Sequence, residues 1–149
     1  MNTHPYLRAY MAGIVVPTIV LLFLLTGFVI ARHVYRVPIP IERAIVFPMG
    51  IVPNLFGLWN MLYLRLSPHR YLPIGFHGAI LPFLLAPSGF LLGRSLGILT
   101  LRPEGLVYFQ AVTVPYSYFV AGFSFALIAY YLVWKYLIGF FNRMLGIAQ

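Results

Sequence analysis

Cysteine is absent from the 149 residues, and only two carboxylates, Glu42 and Glu104, accompany ten lysines and arginines. The first absence excludes disulfides, thiolate metal sites and cysteine nucleophiles. The second removes the groups that most hydrolyses, glycosyl transfers and proton abstractions use as general acid and base. No Ser/His/Asp set, HExxH, glycine-rich phosphate loop or pair of neighbouring carboxylates is present. The chain is therefore expected not to be an enzyme and to hold no metal. Charge of either sign is scarce, at 8% of residues, where a soluble domain carries about a quarter.

Hydrophobic residues make up 62% of the chain. They gather into four stretches near the length of about 20 residues that a membrane-spanning helix needs: residues 10–31, 44–64, 74–92 and 112–134. None has a Lys, Arg, Asp or Glu near its centre. The first is longer than the apolar core of a secretory signal, about 7–15 residues, and ARHVYR follows it rather than a small-residue cleavage site. It is expected to be a retained helix. The pattern predicts an all-α integral membrane protein, a single polytopic domain over residues 1–149 with four transmembrane helices.

The formal charge of +8 would suggest nucleic acid in a soluble protein. Here the cations lie at the ends of apolar spans, where they snorkel or meet lipid phosphates, and no basic run interleaves with aromatics. Membrane lipid, not nucleic acid, is the expected contact. With four spans, Arg8, Arg65, Arg70, Lys135 and Arg143 fall on one side, and Arg32, Arg36, Arg43, Arg94 and Arg102 on the other. Orientation follows the Lys/Arg imbalance between sides, and this tie gives none. All the cations but Lys135 are arginines, a bias that points to a GC-rich bacterial genome and an inner membrane.

The connections differ from one another. RLSPHRYLP (65–73) is short and makes spans two and three antiparallel neighbours. RHVYRVPIPIER (32–43) contains Pro38 and Pro40, which disfavour helix at the residues before them. GILTLRPEGLVYFQ (97–110) centres on RPEG, with Pro second and Gly fourth in a turn, and predicts a short β-hairpin or an interfacial excursion. Near the end of span four, Tyr130, Tyr131, Trp134, Lys135 and Tyr136 have the composition of an interfacial belt.

Spans two and three share an unusual pattern. FPMGIVPNLF (47–56) and LPFLLAPSGF (81–90) both read Pro-x4-Pro-[Asn/Ser]-x-Phe. A helical proline frees the carbonyl four residues back, so Pro48, Pro53, Pro82 and Pro87 are expected to kink these helices. Asn54 and Ser88 are candidates to satisfy the freed carbonyls of Met49 and Phe83, which hydrocarbon cannot do. Pro17 with Thr18 repeats the theme in span one. Broken helices form binding sites in many transporters, and Pro48, Pro53, Asn54, Pro82, Pro87 and Ser88 make up the candidate site on that reading. Packing is the alternative and the preferred one. Gly50 and Gly57 line one face of span two; Gly78, Gly89 and Gly93 line one face of span three, Gly89 and Gly93 forming a GxxxG. Small residues on one face let helices approach closely in lipid.

Among the histidines only His77 enters a span, and a single-ligand haem or pigment site would rest on it. Arg94, just past the GxxxG, must snorkel or pair; Glu42 is the expected partner, with Glu104 as the alternative. Asn60 is placed to bond across helices. The expectation is a non-catalytic accessory subunit of a larger membrane assembly, in contact with lipid and with other subunits or copies of itself, and without a cofactor. The rivals are a small homo-oligomeric transporter or channel for a neutral or lipid-like substrate, and a pigment- or quinone-binding protein.

Overall fold

The computed structural model describes residues 4–36, 40, 46–67, 72–110 and 112–147, without the side chain of Phe47. The described chain is mostly helical. Helix α1 runs over Pro5–His33, α2 over Phe47–Leu66 and α3 over Ile74–Ser95. Strands β1 (Leu99–Arg102), β2 (Gly105–Tyr108) and β3 (Val112–Val114) follow. Then α4 (Tyr116–Leu132), a π-helical turn at Val133–Ile138 and α5 (Gly139–Met144) form one continuous helix, Tyr116–Met144.

Local chemistry explains where these helices begin and end. Pro5 occupies the first turn of α1, where its missing N–H would have had no acceptor. Pro115, in an extended conformation (φ −57°, ψ 147°), caps α4. The last turns of α1, α2, α3 and α5 carry Arg32 with His33, Arg65, Arg94 and Arg143, cations set against the negative end of the helix dipole.

Among the described residues, three helices are long and apolar enough to cross a membrane: α1, α3 and Tyr116–Met144. This is the composition of a membrane protein. Helix α2 has 20 residues, enough for about 30 Å, but Asn54, Asn60, Pro48, Pro53 and Arg65 make it less apolar than the other three.

Two compact units are present, residues 1–74 with 135–149 (unit 1) and residues 75–134 (unit 2). In unit 1, α1 and α2 pack antiparallel: Ala9 lies beside Asn60, and Gly13 beside Phe56 and Gly57. Helix α5 joins the start of α1. In unit 2, α3 packs on α4 and the π turn through Phe76–Tyr131, Phe83–Phe123 and His77–Trp134 ring contacts.

Unit 2 also holds a three-stranded antiparallel sheet in the order β1-β2-β3. The RPEG turn forms where the sequence places it, with Arg102 opposite Gly105 and Thr100 opposite Val107. Gly105 is required there, because its φ is +153° and a Cβ would overlap the carbonyl of Val114. The sheet is larger than the expected hairpin. Val112–Val114, expected at the start of the fourth span, instead pairs with β2, Leu106 facing Val114 and Tyr108 facing Val112. Two valines around a threonine fit a helix start or a strand equally well, and Pro115 disfavours helix at Val114.

Candidate functional site

The most tightly bonded polar group lies in unit 1, at the end where α1 begins. Asn60 of α2 and Asn142 of α5 are both fully buried. The Asn60 amide donates to the Asn142 side-chain oxygen at 2.7 Å, and the Asn142 amide donates back to the Asn60 oxygen at 3.0 Å. The second Asn60 hydrogen reaches the Ala9 carbonyl of α1 at 2.7 Å. One amide thus ties three helices, which suits two polar side chains that would otherwise be unsatisfied in an apolar surrounding.

Just beyond it, Arg8 Nη1 donates to the Leu145 carbonyl at 2.8 Å. Leu145 belongs to a glycine-terminated helix end. Gly146 is left-handed (φ +63°), its N–H meets the Arg143 carbonyl at 3.0 Å, and the Ile147 N–H meets the Asn142 carbonyl at 2.8 Å. This is the Schellman arrangement. Arg8 adds a positive charge to the negative end of α5. Its Nε is buried and has no hydrogen-bond partner among the described residues.

The polar residues that follow helical prolines act differently from expectation. Asn54 donates to the Gly50 carbonyl at 2.6 Å, Ser88 to Leu84 at 2.6 Å and Thr18 to Ile14 at 2.7 Å. Each bonds the carbonyl four residues before itself, one residue on from the carbonyl its proline frees. The reason is reach: a short side chain on a helix comes back to its own i−4 carbonyl. Tyr10 of α1 donates its hydroxyl to the Asn54 oxygen, so a polar pair lies exposed between α1 and α2. Pro48 sits in the first turn of α2, where it breaks no hydrogen bond inside that element; Ala44, whose carbonyl it was expected to free, lies outside the described residues. Pro53, Pro82 and Pro87 lie inside helices that continue through them. Asn54 and Pro53 belong to unit 1, and Pro82, Pro87 and Ser88 to unit 2.

The glycines expected to make helix contacts divide into two kinds. A Cβ at Gly57 would run into Tyr10 and Ile14 of α1, and one at Gly78 would overlap the Trp134 indole. One at Gly93 would come within 2.6 Å of the Leu99 side chain, in the strand that follows its own helix. Gly50 and Gly89 have nothing within 4 Å among the described residues.

His77 is buried, its ring edge-on to Trp134 with centroids 5.7 Å apart. Trp134, expected in an interfacial belt, is itself fully buried, because Gly78 leaves room for an indole against the backbone of α3. Lys135 lies nine residues before the end of the continuous helix at Met144, with Nζ 5.2 Å from the Tyr136 ring centre. Arg94 and Glu104 are both exposed, and among the described residues no ion pair joins them. Solvated charges gain little by pairing. The partner expected first, Glu42, lies outside the described residues. In the sheet, burial pushes the Tyr108 phenol above its usual pKa.

Among the described residues no three of His, Cys, Asp and Glu come together. What the arrangement offers is hydrogen bonding between helices and cationic contact at one end. Three participants went unread in the sequence: Asn142, Gly13 and the structural role of Arg8. Gly13 had a signal, since Ala9 and Gly13 form a small-x3-small pair. Asn142 had none, its partner being 82 positions away. Compared with known proteins, the chain matches no family model, no curated sequence and no solved structure.

Proposed function

We propose that this chain is a non-catalytic accessory subunit of a larger membrane assembly, with α2 crossing the bilayer as a fourth span beside the three most apolar helices, and prolines bending α2 and α3. The observation that carries this reading is α4. It is apolar on every side, and none of its residues from Tyr116 to Leu132 is buried within the chain. Such a helix gains its packing from lipid and from neighbouring subunits. The open positions at Gly50 and Gly89 support the same view. The scarcity of carboxylates argues for positioning rather than chemistry, and the arginine bias for a bacterial inner membrane. Gentle extraction from the native membrane followed by native mass spectrometry tests it: the chain leaves with other subunits in a fixed ratio. A chain released alone or as a bare homo-oligomer contradicts it.

A second reading, a homo-oligomeric carrier of a neutral or lipid-like substrate, draws on the exposed Tyr10–Asn54 pair. Asn54→Leu separates the two. Loss of flux with normal assembly supports the carrier; loss of assembly supports packing.

A further inference from the structure

The sheet of unit 2 joins the end of α3 to the start of α4, and the way those helices meet fixes its depth. Phe76 meets Tyr131 and Phe83 meets Phe123, both with ring centres 5.2 Å apart. Seven residues forward along α3 thus answer to eight back along α4, so the two run antiparallel and nearly in step. Counted from the Phe83–Phe123 pair, α3 continues twelve residues to Ser95, while α4 reaches back only seven to Tyr116. Helix α4 therefore begins about 7.5 Å short of the end of α3, level with Phe90.

Both ends of the sheet are held near that level. At one end Leu99 lies against Gly93, where an added Cβ would come within 2.6 Å of its side chain. At the other, the Tyr116 hydroxyl donates to the Arg102 carbonyl at 2.8 Å. Val114 precedes Tyr116 by two residues, at most about 7 Å of chain, which puts it no more than about 3 Å beyond Gly93 along α3. A sheet standing out along the axis of α3 would carry its RPEG end roughly 10 Å beyond Gly93. The strands instead run sideways across the helix ends, at the depth of the last turn of α3. That helix has 22 residues, about 33 Å against a hydrocarbon core of about 30 Å, so its last turn reaches the head-group boundary of a bilayer it crosses.

The sheet has two unlike faces. Residues directly opposite across strands share a face, and alternate residues along a strand do too. Leu99, Leu101, Leu106, Tyr108, Val112 and Val114 form one face, which Leu99 turns toward α3. Thr100, Arg102 and Thr113, with Val107, form the other. In the middle of the apolar face Leu106 is buried, but Leu101 and Val112, on the two edge strands, are 48% and 57% exposed. They continue, at the same depth, the exposed apolar surface of α4 at Tyr118 and Val120.

We propose that the sheet is an interfacial platform: it lays Leu101 and Val112 into the lipid beside α3 and α4 and turns Thr100, Arg102 and Thr113 to water. The inference rests on α3 and α4 crossing the bilayer, and not on the accessory-subunit reading.

The absence of cysteine allows single nitroxide labels. Leu101→Cys, Val112→Cys, Thr100→Cys and Thr113→Cys are labelled in the full chain, in vesicles of phosphatidylglycerol and phosphatidylcholine. Power saturation then compares collisions with oxygen, which concentrates in lipid, and with a water-soluble nickel chelate. Oxygen dominates at 101 and 112, and nickel at 100 and 113, so the preference reverses between neighbouring residues. Nickel dominating at 101 or 112, oxygen dominating at 100 or 113, or a label at 101 or 112 closed to both reagents because protein covers it, overturns the proposal. Leu101 and Val112 are exposed on different strands, so either one alone carries the test if the other variant fails to fold. Phe125→Cys, at an exposed position within α4, separates the causes of failure. Oxygen there with nickel at 101 and 112 rejects the platform and keeps the span; nickel at all three rejects both.

Discussion

In unit 1 the helices meet backbone to backbone at Gly13, with the Tyr10 ring over Gly57; in unit 2 they meet through rings. A Cβ at Gly13 would lie 2.6 Å from the Phe56 carbonyl oxygen and 2.8 Å from the Gly57 Cα, so α1 and α2 touch along their main chains. In unit 2 the space over Gly75 and Gly78 is filled by Tyr131 and Trp134, and Phe83 meets Phe123 at 5.2 Å between centroids. Both solutions use glycine, for different ends. Close main-chain approach maximises dispersion contact and lets polar side chains such as Asn60 bridge three helices. Ring-on-glycine packing needs no polar bridge, because one large side chain supplies the contact area. The lesson is that a glycine on a membrane helix specifies nearness, and its partner decides whether backbone or side chain takes the space.

The largest effect expected from breaking this contrast is at Trp134. Trp134→Ala costs about 3–5 kcal/mol, measured as a fall in the unfolding midpoint in denaturing detergent. On that background Gly78→Ala adds nothing, since the ring it would strike is gone. Gly13→Ala costs about 1–3 kcal/mol and is not rescued by truncating any single side chain, because the obstacle is the backbone of α2. Rescue of Gly13→Ala by a side-chain truncation would erase the distinction between the units.

Next come the amides. Asn60→Leu or Asn142→Leu costs about 1–3 kcal/mol through the partner left unsatisfied. The double variant costs less than the sum of the singles, which a double-mutant cycle reads as coupling. Additive losses would mean the two amides act separately. Gly50→Ala and Gly89→Ala should raise the stability of the isolated chain by up to about 1 kcal/mol, the helix propensity gain, since neither Cβ meets anything among the described residues. If either weakens association with other subunits, that face is a contact surface.

The smallest expected effect concerns pH. The Tyr108 phenol has a pKa raised by burial, so the folded state holds its proton more firmly than the unfolded state. Its contribution is complete below the ordinary tyrosine pKa and is lost as pH rises through the folded value. Alkaline titration followed by amide exchange in the sheet should show loosening that Tyr108→Phe removes.

The sequence alone determined what depends on neighbours in the chain. Apolar runs of spanning length became α1, α3 and the helix from Tyr116, because a backbone among apolar side chains must satisfy its own hydrogen bonds. RPEG became a turn because Pro103 holds its own φ and Gly105 tolerates a positive φ that other residues avoid. Tertiary structure decided the rest. Whether Val112–Val114 would be strand or helix depended on β2 being there to pair with. Whether Trp134 faced lipid or protein depended on the gap over Gly78. Gly57 and Gly50 carry the same signal in sequence, and only the path of α1 determines which of them it touches. Asn142 acquires its meaning from Asn60, a partner that no local pattern names, and the bond from Arg8 to Leu145 exists only because the end of α5 comes back to the beginning of α1.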